Sequence, residues 1–189
     1  MRARTTTARA CQGWLGGLAL SVLVSVPAHA DPPVAVDAVE AAYLHKFPAF
    51  VDWPADSFRT ATSPIVIGVA GAPRVLEELT RIARGRLVLG RVVEARAVSG
   101  ADVPMDVHVL FVGRQDAAGA KAMLDAAARG HILTVTDVPE GLKAGAILDF
   151  VQIDSRLRFE ASLIAAHRAD LRLSSKLLSV ASRVVEEAP

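Results

Sequence analysis

The sequence predicts an α/β domain: one mostly parallel central sheet with helices on both faces, extended by an antiparallel hairpin near the C-terminus. Three observations predict it. The runs "PIVIGVAG", "DVHVLFVG" and "HILTVTD" are short, continuous and rich in β-branched residues, as strands buried on both faces are. Amphipathic stretches of helical length separate them, the alternation that builds a parallel sheet through crossover connections. Finally, "GAILDFVQIDSRLRFEASL" contains two alternating runs around Asp154-Ser155, a hairpin pattern.

At the N-terminus, Arg2, Arg4 and Arg9 precede the apolar run Trp14 to Val26, and "AHA" ends at Ala30. That order of charge, apolar core and small residues is a secretory signal with cleavage after Ala30. Residues 31–35, rich in Pro and Ala, read as a flexible lead-in to a single domain over 36–189. "VEAAYLHKFPAFVDWP" then places Val39, Tyr43, Phe47, Phe50 and Val51 at helical spacing. Pro48 lacks a backbone N–H, so this helix should kink or end near Phe47. "PRVLEELTRIARG" reads as a helix with Pro73 in its first turn and Gly85 as its stop. "RVVEARAV" is a strand and "DAAGAKAMLDAAARG" an Ala-rich helix closed by Gly130. Helical residues are expected from the hairpin to the C-terminus.

Charge and cysteine content exclude several functions. The 30-residue leader holds three of the 21 Lys and Arg and none of the 20 Asp and Glu, so the exported product has two more acids than bases. Such a product is too nearly neutral for general nucleic-acid binding, which needs a basic face. The only cysteine, Cys11, leaves with the leader, which rules out disulfides and thiolate metal sites. No direct membrane insertion is expected after cleavage.

Ser174 and Lys176 resemble a hydrolase pair, but at two residues apart on a helix they point in different directions. Ser174 instead stands where an N-cap belongs. "GVAGAPRVLEEL" is a strand, glycines and a helix start, without the full phosphate-binding motif. Gly68 and Gly71 are expected to let the chain turn out of the sheet. Gly68, Gly71 and Asp137 are the candidate small-molecule site, at strand ends where open α/β sheets bind ligands. Asp116 and Asp137 are also natural caps for the elements that follow them. His45, His108, His131 and His167 have no metal-binding spacing, so no metal and no cofactor is expected, and His108 reads as a core histidine.

With these residues in view, the chain resembles the YfiR-like family of exported bacterial proteins. The likeness rests on "VEAAYLHKFPAFVDWP" and on "LRFEASLIAAHRADLRLSSKLLSVA", with "VHVLFVG", "ILTVTD" and "GAILDFV" in matching order. It implies a compact, often dimeric α/β domain without assigned catalytic residues. It implies further a periplasmic regulator that binds the periplasmic domain of an inner-membrane diguanylate cyclase, lowering cyclic-di-GMP and biofilm formation. By position it carries Arg158, Glu160, Ser162, Arg168 and Lys176 into a partner-binding set. Glu160 and Arg168 are equally a structural ion pair. Two departures stand out: Ser162 occupies a position usually held by Asn, and Pro48 interrupts a helix that is usually continuous.

Overall fold

Successive residues of the first long strand face opposite layers, and that alternation organises the molecule. The structure is a computed structural model that describes residues 36–100 and 103–186. The expected signal segment (1–30) and lead-in (31–35) lie outside the described residues. Helix α1 spans Val36–Lys46 and a 3-10 turn continues it over Phe47–Phe50. The helix stops where Pro48 predicts, because a proline at the second position of the turn has no amide to continue the ladder. Strand β1 (Val51–Asp52) follows, then β2 (Ile65–Ala70), every residue of which is buried.

Helix α2 (Pro73–Ala83) leads to the short pair β3 (Leu87–Val88) and β4 (Arg91–Ala97). The chain then makes β5 (Val109–Val112), α3 (Ala117–Ala127), β6 (Leu133–Thr136), the single turn α4 (Gly141–Ala144), β7 (Leu148–Ile153) and β8 (Arg156–Ser162). The sequence closes through α5 (Leu163–Arg168), β9 (Arg172–Leu173), α6 (Ser175–Leu178) and β10 (Arg183–Val185). The eight-stranded sheet has the order β10-β8-β7-β6-β5-β2-β4-β3, and β1 pairs with β9 apart from it. Strands β4, β2, β5, β6 and β7 are parallel, with β8 antiparallel to β7. The hairpin turns at Asp154 and Ser155, both at positive φ, as a two-residue turn that matches strand twist requires.

Ile65, Ile67 and Val69 face a core shared with Ala41 and Leu44 of α1 and Val75 and Leu79 of α2. Val66 and Ala70 face the other layer, with Ala120, Met123, Leu124 and Ala127 of α3. Helices therefore cover both faces, as the sequence predicts. An aromatic cluster locks α1 to the hairpin: Phe47 lies 5.8 Å from Phe150 and 5.2 Å from Phe159, ring centroid to centroid. Burying each such ring is worth about 1.5–3 kcal/mol before packing geometry is counted.

Four expectations need correction. The buried face of α1 carries Glu40, Ala41, Leu44 and His45, with Val39 and Tyr43 only half-buried beside it. Gly68 does not turn the chain. It lies inside β2, where a Cβ would come within 2.7 Å of Val98 Cγ2. The C-terminal run is not one helix. Ser182 N–H donates to Phe159 O at 2.8 Å, and Arg183–Val185 then pairs parallel to Glu160–Ser162. Sheet pairing satisfies these amides, and the β-branched Val184-Val185 fits a strand better than a helix. Asp116 stands at the N-cap position of α3 without a capping hydrogen bond to its side chain, and the N-cap position of the next helix, α4, is held by Glu140 and not by Asp137.

Candidate functional site

Strand β2 feeds β4 on one side through α2, and the chain then returns to β5 on the other side of β2. The direction of winding reverses there, and a crevice opens outside the C-terminal ends of the two strands, the usual ligand position in such sheets. Two glycines let the strand ends touch. Gly71 has φ +62°, and a Cβ on it would lie 2.5 Å from Asp116 N; a Cβ on Gly113 would lie 2.7 Å from Gly71 O. Pro73 follows as the first helical residue of α2.

The resulting cavity, about 280 Å³, is lined by Gly71 and Arg74 after β2, Arg114 after β5, Asp137 after β6, and Asp37 and Glu40 from α1. Val36, Val75 and Leu157 give it apolar walls. Arg114 Nε lies 2.9 Å from Asp137 Oδ2 and donates to Asp137 O at 3.1 Å. Asp137 Oδ1 and Glu40 Oε1 are buried and have no hydrogen-bond partner. Glu40 is only 3% exposed. Its pKa is pushed up to about 7 by burial first, then by the charges of Asp137 and Asp37, against a smaller opposing effect of Arg114. Burial also raises Asp137, with Arg114 pulling it back.

A third buried acid lies apart from the cavity. Asp149 on β7 is pushed up to about 6, mainly by burial, although the backbone amides of Leu142 and Gly141 favour its charged form. Gly141 must be glycine here, since a Cβ would sit 2.2 Å from Thr136 Cγ2. Among the described residues no three His, Cys, Asp or Glu side chains gather to hold a metal ion.

His108, half of a second environment, is satisfied on both nitrogens. Val66 N–H donates to Nδ1 at 3.2 Å, and Nε2 lies 3.0 Å from Ser57 O. With Nδ1 accepting, the hydrogen resides on Nε2 and the ring is neutral. Phe58 stacks on it at 4.5 Å, and Arg91 lies 4.0 Å over the Phe58 ring.

Of the strand-end candidates the structure brings Gly71 and Asp137 together, while Gly68 lies elsewhere in β2. The other candidates divide by environment. Arg158, Arg168 and Lys176 are exposed. Glu160 pairs with Arg183, the residue opposite it on β10, and not with Arg168. Ser162 is 6% exposed and caps α5, its hydroxyl accepting from Ala165 N at 3.1 Å, which leaves little surface for a partner. Lys176 borders a small cavity of about 90 Å³ beside Tyr43, Phe47, Phe50 and Phe159. Ser174 likewise caps α6, accepting from Leu177 N at 3.3 Å.

Four charged residues of the lining escape the sequence reading: Asp37, Glu40, Arg74 and Arg114. For Glu40 a signal exists. Leu44 and Phe47 follow at i+4 and i+7, so a carboxylate shares the buried face of an apolar helix.

The fold and crevice define a doubly wound α/β domain with a polar cleft at its topological switch point. The family model described as YfiR/HmsC-like matches residues 37–182, most of the chain, and the protein belongs to that family. A conserved domain protein from Vibrio cholerae O1 biovar El Tor str. N16961 has a similar fold, with a TM-score of 0.57 at 11% identity. The similarity covers 79% of this chain and 60% of that one, so this chain spans less than two thirds of that structure. No curated protein matches.

Proposed function

We propose that this protein is a non-enzymatic periplasmic regulator that binds the periplasmic domain of a membrane-bound diguanylate cyclase and holds its activity down. The family match over 37–182 carries this reading, because it takes in both sequence blocks that resemble the periplasmic regulators. Two side chains with catalytic potential are engaged structurally, which supports a binding role: Ser174 caps a helix, and His108 is neutral with both ring nitrogens bonded. No helix among them is long and apolar enough to cross a membrane. Exposed Arg158, Arg168 and Lys176 offer cations to an acidic partner surface. The test is cyclic-di-GMP in a strain lacking this chain while its cyclase is intact. A rise, together with co-purification of the cyclase's periplasmic domain, supports the proposal. An unchanged level without co-purification refutes it.

A second reading is favoured by the crevice itself: a small-molecule site at the strand ends, through which a ligand relieves repression. Its motivating observation is the pair of buried, partnerless carboxylate oxygens of Glu40 and Asp137. Thermal-shift screening of the purified protein tests it, since a ligand at 100 times its dissociation constant adds about 2.7 kcal/mol.

A further inference from the structure

We propose that the crevice outside β2, β5 and β6 binds a small aliphatic primary amine, its ammonium group held by Glu40 Oε1 and Asp137 Oδ1. The inference rests on the strand-end ligand reading above and names its chemistry.

A buried carboxylate oxygen without a donor is costly, so its persistence in a formed cavity calls for an occupant that donates. Glu40 supplies one such oxygen and Asp137 another, from an α-helix and from a strand end. Arg114 does not meet the need. Its Nε is already committed to Asp137 Oδ2 and Asp137 O, and its side chain is 65% exposed. Arg74, the other basic residue at the cavity, is exposed in the first turn of α2. Asp37 adds a third acid to the same lining, so the interior favours a cation.

The kind of cation follows from donor count and shape. An ammonium carries three donors, enough to satisfy Oε1, Oδ1 and one further acceptor at hydrogen-bond distance. A calcium ion needs six to eight oxygens, and among the described residues no group of three suitable side chains forms. Val36, Val75 and Leu157 supply apolar walls, which suit a short methylene chain attached to the ammonium. At about 280 Å³ the cavity has room for an ammonium group with a short methylene chain.

The test is calorimetric titration and thermal shift of the purified protein at pH 8 with n-butylamine and putrescine. Parallel arms use tetramethylammonium, calcium chloride and butyrate. Saturable binding with a rise in melting temperature is expected for the primary amines alone. Glu40→Gln and Asp137→Asn are each expected to weaken that binding at least about tenfold, the loss of one charge-assisted hydrogen bond. Both variants are nearly isosteric, and circular dichroism checks that each folds; either one suffices. Equal binding of tetramethylammonium or calcium overturns the assignment, as does amine binding indifferent to both variants. If butyrate binds and the amines do not, the crevice remains a ligand site and only the amine assignment falls. If nothing binds, the strand-end ligand reading falls with it.

Discussion

Arg114 grips Asp137 at both its carboxylate Oδ2 and its backbone carbonyl, and so leaves Asp137 Oδ1 without a donor in the cavity that Glu40 also lines. One guanidinium thus orients an acid without neutralising the pocket. The arrangement makes Glu40 the most strongly perturbed group of the site, and its titration is the most direct physical handle on the crevice.

Glu40→Gln is expected to stabilise the ligand-free protein at pH 8 and to change little near pH 4.5. The folded-state pKa of about 7 exceeds the ordinary 4.5, so the folded protein holds this proton more tightly than the unfolded chain. Stability from this group is present below about 4.5 and is lost as the pH rises to about 7. The groups facing it are Asp37 on its own helix, Asp137 after β6 and Arg114 after β5. For so deeply buried a side chain the gain at pH 8 is on the order of 2–3 kcal/mol. Urea denaturation of both proteins at the two pH values measures it, and an equal difference at both would contradict the account.

His108 gives the opposite pH dependence. Burial lowers its pKa below the ordinary 6.5, so the unfolded chain takes up a proton that the folded protein refuses. Its contribution is complete above about 6.5 and declines as the pH falls below it. His108→Leu leaves Val66 N–H without its acceptor and should cost about 1–3 kcal/mol at pH 7.5. The cost should shrink at pH 5, where wild type is itself penalised. Thermal melts of the two proteins at both values decide the matter.

Gly71→Ala and Gly68→Ala separate backbone necessity from side-chain crowding. At Gly71 a methyl group meets Asp116 N at 2.5 Å and the residue sits at φ +62°, so neither contact nor conformation can relax cheaply. A loss of about 2–4 kcal/mol is expected from left-handed strain and overpacking together. At Gly68 the methyl meets side-chain atoms of Val98 and Val107 and no backbone, and φ is not in the left-handed region, so a smaller loss of about 1–2 kcal/mol is expected. Denaturant midpoints rank them, and the reverse order would refute this reading of the strand ends.

The sheet was legible because its signals are local. Ile65–Ala70, Leu133–Thr136 and the turn at Asp154-Ser155 each announce themselves in β-branched composition or turn chemistry. Pro48 likewise ended α1 where its missing amide demands. What stayed hidden depends on distant partners. β10 exists because Phe159, some twenty residues earlier, offers a carbonyl to Ser182, and helical spacing in "LLSVAS" gives no hint of it. Gly68 carries the same one-letter signal as Gly71, yet one fills a strand and the other bends the chain. The crevice itself combines α1 with three strand ends, a meeting no window of sequence displays. Gly71 and Asp137 marked its strand ends in advance, whereas Glu40, an acid on an apolar helical face, was a signal left unread.

Ser174→Ala tests the local role of the C-terminal serines. The hydroxyl accepts Leu177 N–H at the start of α6, a helix of only four residues that follows β9, and β9 pairs with β1. Ser174 N–H also donates to Phe50 O at 2.9 Å, a bond that alanine retains. Removing the hydroxyl therefore forfeits one cap, worth about 1 kcal/mol, and leaves the anchoring to the 3-10 turn intact. Ser162→Ala should cost a similar amount or somewhat more, because its hydroxyl is buried and the Ala165 amide would be left unsatisfied. Chemical denaturation reads both values. If Ser174 acted as a nucleophile, its alanine variant would abolish turnover of an activated ester at nearly unchanged stability; a cap predicts the reverse, a modest loss of stability with any background turnover unaltered.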